Sequence, residues 1–304
     1  MKKKDQTKKH YRDYLFYDIL VRIFIHLNVA DLVAASFVCK TWNLATRAPQ
    51  LWKKLDLTTL NYSNYFNIPM LVNSWKDENS SSKMTRFLKY VTNLSSGNIN
   101  IIIFNFYVYL TDDHLLTLAK RTPNLKRLVL PLTGNISKIG IETAMKSWSG
   151  LESMTITSIF KDRHYFTAIG KYCPNIVRLK FTCTFEQEEA EAVVNYTPNL
   201  KELSIRFVIV NLRALCLVLN SLKDLEVVNI SHSLIVDKLD GEFEMYSLRN
   251  LRNHLDASYY RKLIVCETGE CLRCQNGRNN DPRRLPHGPL EDIWRQDEIT
   301  SLAH

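Results

Sequence analysis

The sequence predicts an α/β protein in two parts: an N-terminal module of three helices, then an open solenoid with parallel strands inside and helices outside. Three observations predict it. An apolar-x-x-apolar-x-apolar pattern appears as Ile99/Ile102/Phe104, Leu125/Leu128/Leu130, Leu151/Met154/Ile156, Ile176/Leu179/Phe181, Leu200/Leu203/Ile205 and Leu225/Val228/Ile230. The first positions of these triplets fall 26, 26, 25, 24 and 25 residues apart. Helical periodicity follows the strands in turn, and a compact helical pattern precedes them all.

In chain order, residues 1–12 form a lysine-rich stretch (Lys2, Lys3, Lys4, Lys8, Lys9, Arg12) that reads either as a solvated tail or as a nuclear-import or polyanion-binding patch. Residues 13–55 carry the helical module. Ile19, Ile23 and Leu27 mark one stripe, with Leu20 and Phe24 on a neighbouring one. Asn28, with Asp31 three residues on, reads as the N-cap of a helix from about Val29 to Leu44, with Leu32, Ala35, Cys39 and Trp42 as its apolar face. Large apolar residues on more than one stripe imply either docking onto the first repeat or a surface for a partner; periodicity alone does not separate the two.

Residues 56–265 carry the repeats, interrupted by an expected polar loop from Asn73 to Lys83 that contains Ser80–Ser82. Ile141, Ala144, Met145 and Trp148 form an i, i+3, i+4, i+7 helical face after the second strand. Phe166, Ile169 and Cys173 follow the third strand, Ala190, Val193, Val194 and Thr197 the fourth, and Leu212, Leu215, Cys216 and Leu219 the fifth. Glu186, Glu188 and Glu189 open the fourth-strand helix, where negative charge complements the helix dipole. Three helices end at Thr122-Pro123-Asn124, Cys173-Pro174-Asn175 and Thr197-Pro198-Asn199, because proline disfavours helical geometry in the residue before it. A strand plus a helix at this period is the signature of leucine-rich repeats. Such a unit buries its apolar face only against its neighbours, and the stack presents a long curved surface suited to binding.

Strand alternation sends the triplets to the core and the residues between them to the concave sheet. That face is expected to carry Arg127, Arg178, Lys180 and Arg206 against Glu202, with Val129, Ser153, Thr155, Val227 and Asn229 among them. It reads as a solvated face with incidental charge, or as a cleft for acidic or phosphorylated segments, since Arg grips such groups through paired hydrogen bonds.

Composition narrows the classes. A 45% apolar, 23% charged chain matches an ordinary soluble protein, and the net charge of +9 is concentrated near the N-terminus. No signal-peptide pattern is expected, and Asp18, Arg22 and His26 interrupt the most apolar early stretch. Seven cysteines without paired spacing point to reduced thiols in cytoplasm and/or nucleus. Cys266, Cys271 and Cys274 invite a zinc reading, but a fourth ligand would have to come from His254 or His287; reduced thiols, with no metal and no cofactor, are expected. No glycine-rich phosphate loop, nucleophile elbow or His-Glu-x-x-His occurs, so no catalytic residues are assigned. Nucleic-acid binding is disfavoured because the aromatics fall mostly at repeat core positions, and so is membrane association.

The stretch Leu15 to Leu57 resembles the F-box. Leu15 and Phe16 stand at its Leu-Pro position, followed by Asp18-Ile19-Leu20, Ile23-Phe24, Leu27, Asp31-Leu32, Val38-Cys39-Lys40-Thr41-Trp42 and Pro49-Gln50-Leu51-Trp52. With the repeats, nearly the whole chain resembles a plant F-box/leucine-rich-repeat protein, with residues 266–304 as a Cys-, Arg- and Pro-containing tail. The resemblance implies a non-catalytic substrate receptor of an SCF-type ubiquitin ligase. Its F-box would bind a Skp-type adaptor, and through it a cullin, and its repeats would hold a target protein. The implied adaptor contacts are Leu15, Ile19, Leu20, Ile23, Leu27, Leu32, Val38 and Trp42, with Leu20 and Ile23 as expected hot spots. Phe16 departs from the family's proline, which implies weaker adaptor binding. A scaffold outside ubiquitination and a small-ligand receptor are the remaining alternatives.

Overall fold

The computed structural model describes residues 16–62, 66, 77–105, 107–159, 163–206, 208–239, 242–246, 248–251 and 255–266. The N-terminal basic stretch, Leu15 and the expected C-terminal tail beyond Cys266, with Cys271 and Cys274, lie outside them.

The helical module consists of α1 (residues 16–24), α2 (Val29–Ala35) and α3 (Lys40–Ala45). Asn28 caps α2, its Oδ1 accepting the Asp31 backbone N–H at 3.0 Å. The single helix expected from Val29 to Leu44 is broken at 36–39. Ser36 Oγ donates to the Val33 carbonyl at 2.6 Å, Asn43 Nδ2 donates to the Ser36 carbonyl at 2.9 Å, and Cys39 is fully extended at φ −162° and ψ 172°. Side chains thus take over the last carbonyls of α2, which lets the chain turn before α3.

Next come β1 (Lys54–Asp56) and α4 (Glu78–Ser95), β2 (Ile101–Ile103) and β3 (Tyr109–Thr111), then α5 (Asp112–Ala119). The repeats continue through β4 (Arg127–Val129), β5 (Thr133–Asn135), α6 (Lys138–Ser147), β6 (Ser153–Ile156), α7 (His164–Tyr172), β7 (Arg178–Phe181) and α8 (Gln187–Tyr196). The last part holds β8 (Glu202–Ser204), β9 (Ile209–Asn211), α9 (Leu212–Ser221), β10 (Val227–Asn229), β11 (Leu234–Leu239), β12 (Glu242–Tyr246), α10 (Leu248–Leu251), α11 (Ala257–Tyr260) and β13 (Leu263–Ile264). One parallel sheet runs β1-β2-β4-β6-β7-β8-β10-β13, so the six predicted triplets do lie side by side. Two smaller sheets, β3-β5 and β12-β11-β9, were not expected.

Five of the six triplets are entered through the same turn. The backbone N–H of Leu125, Leu151, Ile176, Leu200 and Leu225 donates to the carbonyl three residues earlier, on Thr122, Trp148, Cys173, Thr197 and Leu222. Thr122 and Thr197 also close their helices by donating Oγ1 to the Leu118 and Val193 carbonyls, at 2.9 and 2.7 Å. Trp148 Nε1 donates to Thr122 Oγ1 at 3.1 Å, tying one turn to the next. The turn survives at Trp148 and Leu222, where no proline follows, so the hydrogen bond and the buried side chain define it more than proline does.

The expected loop from Asn73 to Lys83 is corrected from Glu78 onward, because Ser80–Ser82 lie within α4; residues 73–76 lie outside the described residues. Asp77 caps that helix, with Oδ1 accepting the Ser80 backbone N–H and Oδ2 accepting Ser80 Oγ, at 2.9 and 2.6 Å. These bonds hold the Asp77 carboxyl below its usual range, and they outweigh the weak helix preference of serine. The buried face Met84, Phe87, Leu88, Val91 and Leu94 then carries the helix. The joint to α5 is polar: His114 is buried, with Nδ1 accepting the Thr111 N–H at 3.3 Å and Nε2 placed 3.0 Å from the Ser81 carbonyl. Burial lowers the His114 pKa below 6.5.

Two tests follow from this packing. Leu179→Ala, in the middle of the sheet, is expected to cost about 2–5 kcal/mol in urea unfolding, through lost burial and a residual cavity. His114 holds its proton more weakly folded than unfolded, so stability is full above the unfolded value of 6.5 and falls as pH drops from there toward the lower folded value. Melting temperatures measured from about pH 7.5 to about pH 5.5 are expected to decline, with a shallower slope for His114→Gln.

Candidate functional site

Two surfaces carry the residues that the sequence singled out. The first is the outside of the helical module. Helix α1 is apolar on both sides: Leu20, Val21 and Phe24 are buried, whereas Phe16, Ile19 and Ile23 form an exposed stripe at helical spacing. Ile25, Phe37, Val38 and Leu44 are also exposed, Val38 at 61%. Large apolar side chains left in water in one small module mark an interaction surface.

The predicted contacts divide accordingly. Ile19, Ile23 and Val38 face solvent. Leu27 and Trp42 are half-buried, and Trp42 meets Phe24 edge-on at 5.2 Å between ring centroids. Leu20 and Leu32, each 4% exposed, sit inside the module. Leu20 is therefore misplaced as a surface anchor: α1 turns it toward the core, one step round the helix from Ile19. Phe37 and Leu44 were missed, because the helix break that exposes Phe37 was not foreseen. The module is fastened to the repeats by the Phe37–Tyr90 stack, with centroids 5.1 Å apart, and by a 2.8 Å hydrogen bond between the Ser36 and Tyr90 hydroxyls.

The second surface is the concave sheet. Arg127, Arg178 and Glu202 share one row across it and are half-buried. Arg178 Nε donates to Glu202 Oε1 at 2.9 Å, so this row is partly neutralised on its own strands. The row nearer the strand C-termini differs. Ile103, Val129, Thr155, Lys180, Ser204 and Asn229 are all buried, with Lys180 at 0% exposure, and Arg206 beyond them is buried as well. The open basic stripe expected from the sequence is corrected: Lys180 and Arg206 do not face solvent. Ile103 and Val129 lie outside the continuous core formed by triplets and helices. The hydroxyls of Ser153, Thr155, Thr157 and Ser204 are buried without a hydrogen-bond partner among the described residues.

The remaining chemistry is structural. Arg163 pairs with Glu188 and, at 2.7 Å, with Glu189, whose Oε2 also accepts the Glu186 N–H at the start of α8. The described cysteines are free thiols. Burial pushes Cys173 up to about 12 and Cys183 up to about 11, which keeps both protonated and unreactive. Cys266 is half-buried. Among the described residues no cluster of three His, Cys, Asp or Glu groups is placed to hold a metal, and no helix is long and apolar enough to cross a membrane.

The fold and the exposed surface define the class: an apolar helical module joined to a leucine-rich-repeat solenoid. Known sequences agree. A family profile described as F-box-like matches residues 17–58. An F-box/LRR-repeat protein of Arabidopsis thaliana is 35% identical, with 94% of this chain and 94% of that protein covered. A putative Arabidopsis thaliana F-box protein is 27% identical over the same shares, and putative F-box/LRR-repeat protein 22 of that plant is 24% identical over 62% of this chain and 58% of its own. The chain belongs to the plant F-box/leucine-rich-repeat family.

Inward and outward residues of α1 are separable by measurement. Leu20→Ala is expected to lower stability by about 2–4 kcal/mol in thermal unfolding. Ile23→Ser, on a side chain 54% exposed, is expected to stay within about 0.5 kcal/mol of the parent chain.

Proposed function

We propose that this protein is the substrate-recognition subunit of an SCF-type ubiquitin ligase, the module binding a Skp-type adaptor and the concave sheet binding a target protein. The observation that carries this reading is the exposed stripe Phe16, Ile19 and Ile23, together with Val38, on the segment that matches the F-box-like profile. A helix apolar on two faces spends one on its own core and leaves the other for a partner, and a few such anchors dominate most interfaces. Such a subunit makes and breaks no bonds. It raises the local concentration of target lysines near a ubiquitin-loaded enzyme held by the same assembly.

Co-expression with a Skp-type adaptor tests the reading, with co-purified adaptor as the readout. The parent chain is expected to retain adaptor stoichiometrically. Ile23→Asp combined with Val38→Asp is expected to weaken capture by more than about a hundredfold, since each buried anchor contributes about 2 kcal/mol. An unchanged melting temperature assigns the loss to the surface. A parent chain that captures no adaptor overturns the proposal.

A further inference from the structure

We infer that β12, the outer strand of the small sheet β12-β11-β9, takes an extended peptide of alternating apolar and basic residues as a further strand. This surface belongs to neither the helical module nor the main sheet, and the inference does not depend on the ligase reading.

The outward face of this sheet is apolar where polar side chains would ordinarily meet water. β9 and β11 run parallel and β12 returns antiparallel, so β12 is the terminal strand among the described residues. Val210, Ile235 and Tyr246 form one row across the three strands and are buried. Their neighbours along each strand point the other way. These include Ile209, Leu234 and Met245, all exposed, and the half-buried Val236. Ile209 is the register partner of Leu234, and Val236 of Met245, so the four make one apolar patch that runs out to the edge. Met245, at the edge itself, is 67% exposed. A sheet with one face in water usually turns polar residues outward, and contiguous apolar side chains there mark a contact surface.

Charge on the other face of the same edge nominates the occupant. Asp237 and Glu244 are register partners, and like charges directly opposite one another repel. Arg213, from α9, pairs with Asp237 at 3.2 Å. Glu244 is exposed, and its Oε2 accepts the Tyr246 hydroxyl at 2.8 Å, a neutral donor that leaves the carboxylate charge in place. A strand added beside β12 sits about 4.8 Å away. It sets one side chain against Glu244 and the next, on the opposite face, against Met245. The edge backbone supplies hydrogen bonds that any strand can use, while the two side chains choose: basic at Glu244, apolar at Met245. The whole chain carries a net charge of +9, so a basic peptide is held only where acid is local. A second copy of this chain fits worse. The antiparallel pairing that uses all five residues of β12 places Glu244 against its own image. Four apolar side chains are also far fewer than the roughly 20–30 residues a side of a stable protein–protein interface.

Fluorescence anisotropy of a labelled octapeptide of alternating valine and arginine, titrated with the full chain, tests this. The parent chain is expected to bind it saturably, and at least about tenfold more tightly than a block peptide of the same composition, all valines and then all arginines. Glu244→Lys and Met245→Asp are each expected to weaken binding at least about tenfold, with Glu244→Gln between Glu244→Lys and the parent. Both side chains are exposed, so melting temperatures are expected to stay unchanged; where Met245→Asp melts early, Met245→Ser carries the same test. Hydrogen exchange at the β12 amides is expected to slow in the bound state. Any of four results overturns the inference: no saturable binding by the parent, equal affinity for the block peptide, either site variant binding like the parent, or β12 exchange unchanged by the peptide. A concentration-dependent dimer of the parent that Met245→Asp dissolves gives the edge to a second copy and overturns it too.

Discussion

Six of the eight strands of the main sheet carry an apolar triplet that one repeat is too thin to cover by itself, and the molecule is organised around that shortage. Leu125, Leu128 and Leu130 are sealed by the helix behind them and by the matching triplets on either side. Stacking only works if every repeat enters its strand in the same register. The recurring turn before five of the six triplets enforces this, because a slip of one residue would turn the apolar set toward the concave side. Burial, register and turn geometry are one constraint seen at three scales.

The ends of the stack show how the constraint is relaxed. At the N-terminal edge β1 is the outermost strand, and the module that precedes it joins the solenoid through Phe37, Tyr90 and Ser36. This joint places Phe37 against the first long helix, while α1 keeps an apolar stripe turned to water. On the proposed function, a helical module joined to one edge of the solenoid would hold adaptor and target at a set separation. Positional catalysis by an assembly depends on just such a fixed geometry.

Much of this was legible before any coordinates. Six triplets at near-constant spacing named the repeats, and the runs Val38-Cys39-Lys40-Thr41-Trp42 and Pro49-Gln50-Leu51-Trp52 named the module. The misreadings share a cause. Ser80–Ser82 looked like a loop because serine is a poor helix former, although Asp77 as cap and the Met84, Phe87, Leu88, Val91 face were present to argue otherwise. The break at 36–39 was missed because the apolar spacing Leu32, Ala35, Cys39 and Trp42 runs straight through it, while the side-chain bonds of Ser36 and Asn43 decide the local backbone. The small side sheets are three to six residues per strand, too short for alternation to announce them.

By itself the sequence determined the repeat, the inward triplets, the family and the presence of an apolar module, because all of these are periodic or local patterns along the chain. The tertiary structure decided which side of α1 meets water, so that Leu20 supports the fold while Ile23 faces outward. It also decided that Lys180 and Arg206 are buried although strand alternation points them at an open face. The physical reason is the same for both. Alternation and helical spacing say on which face a side chain stands, but whether that face is open or covered depends on contacts between residues distant in sequence.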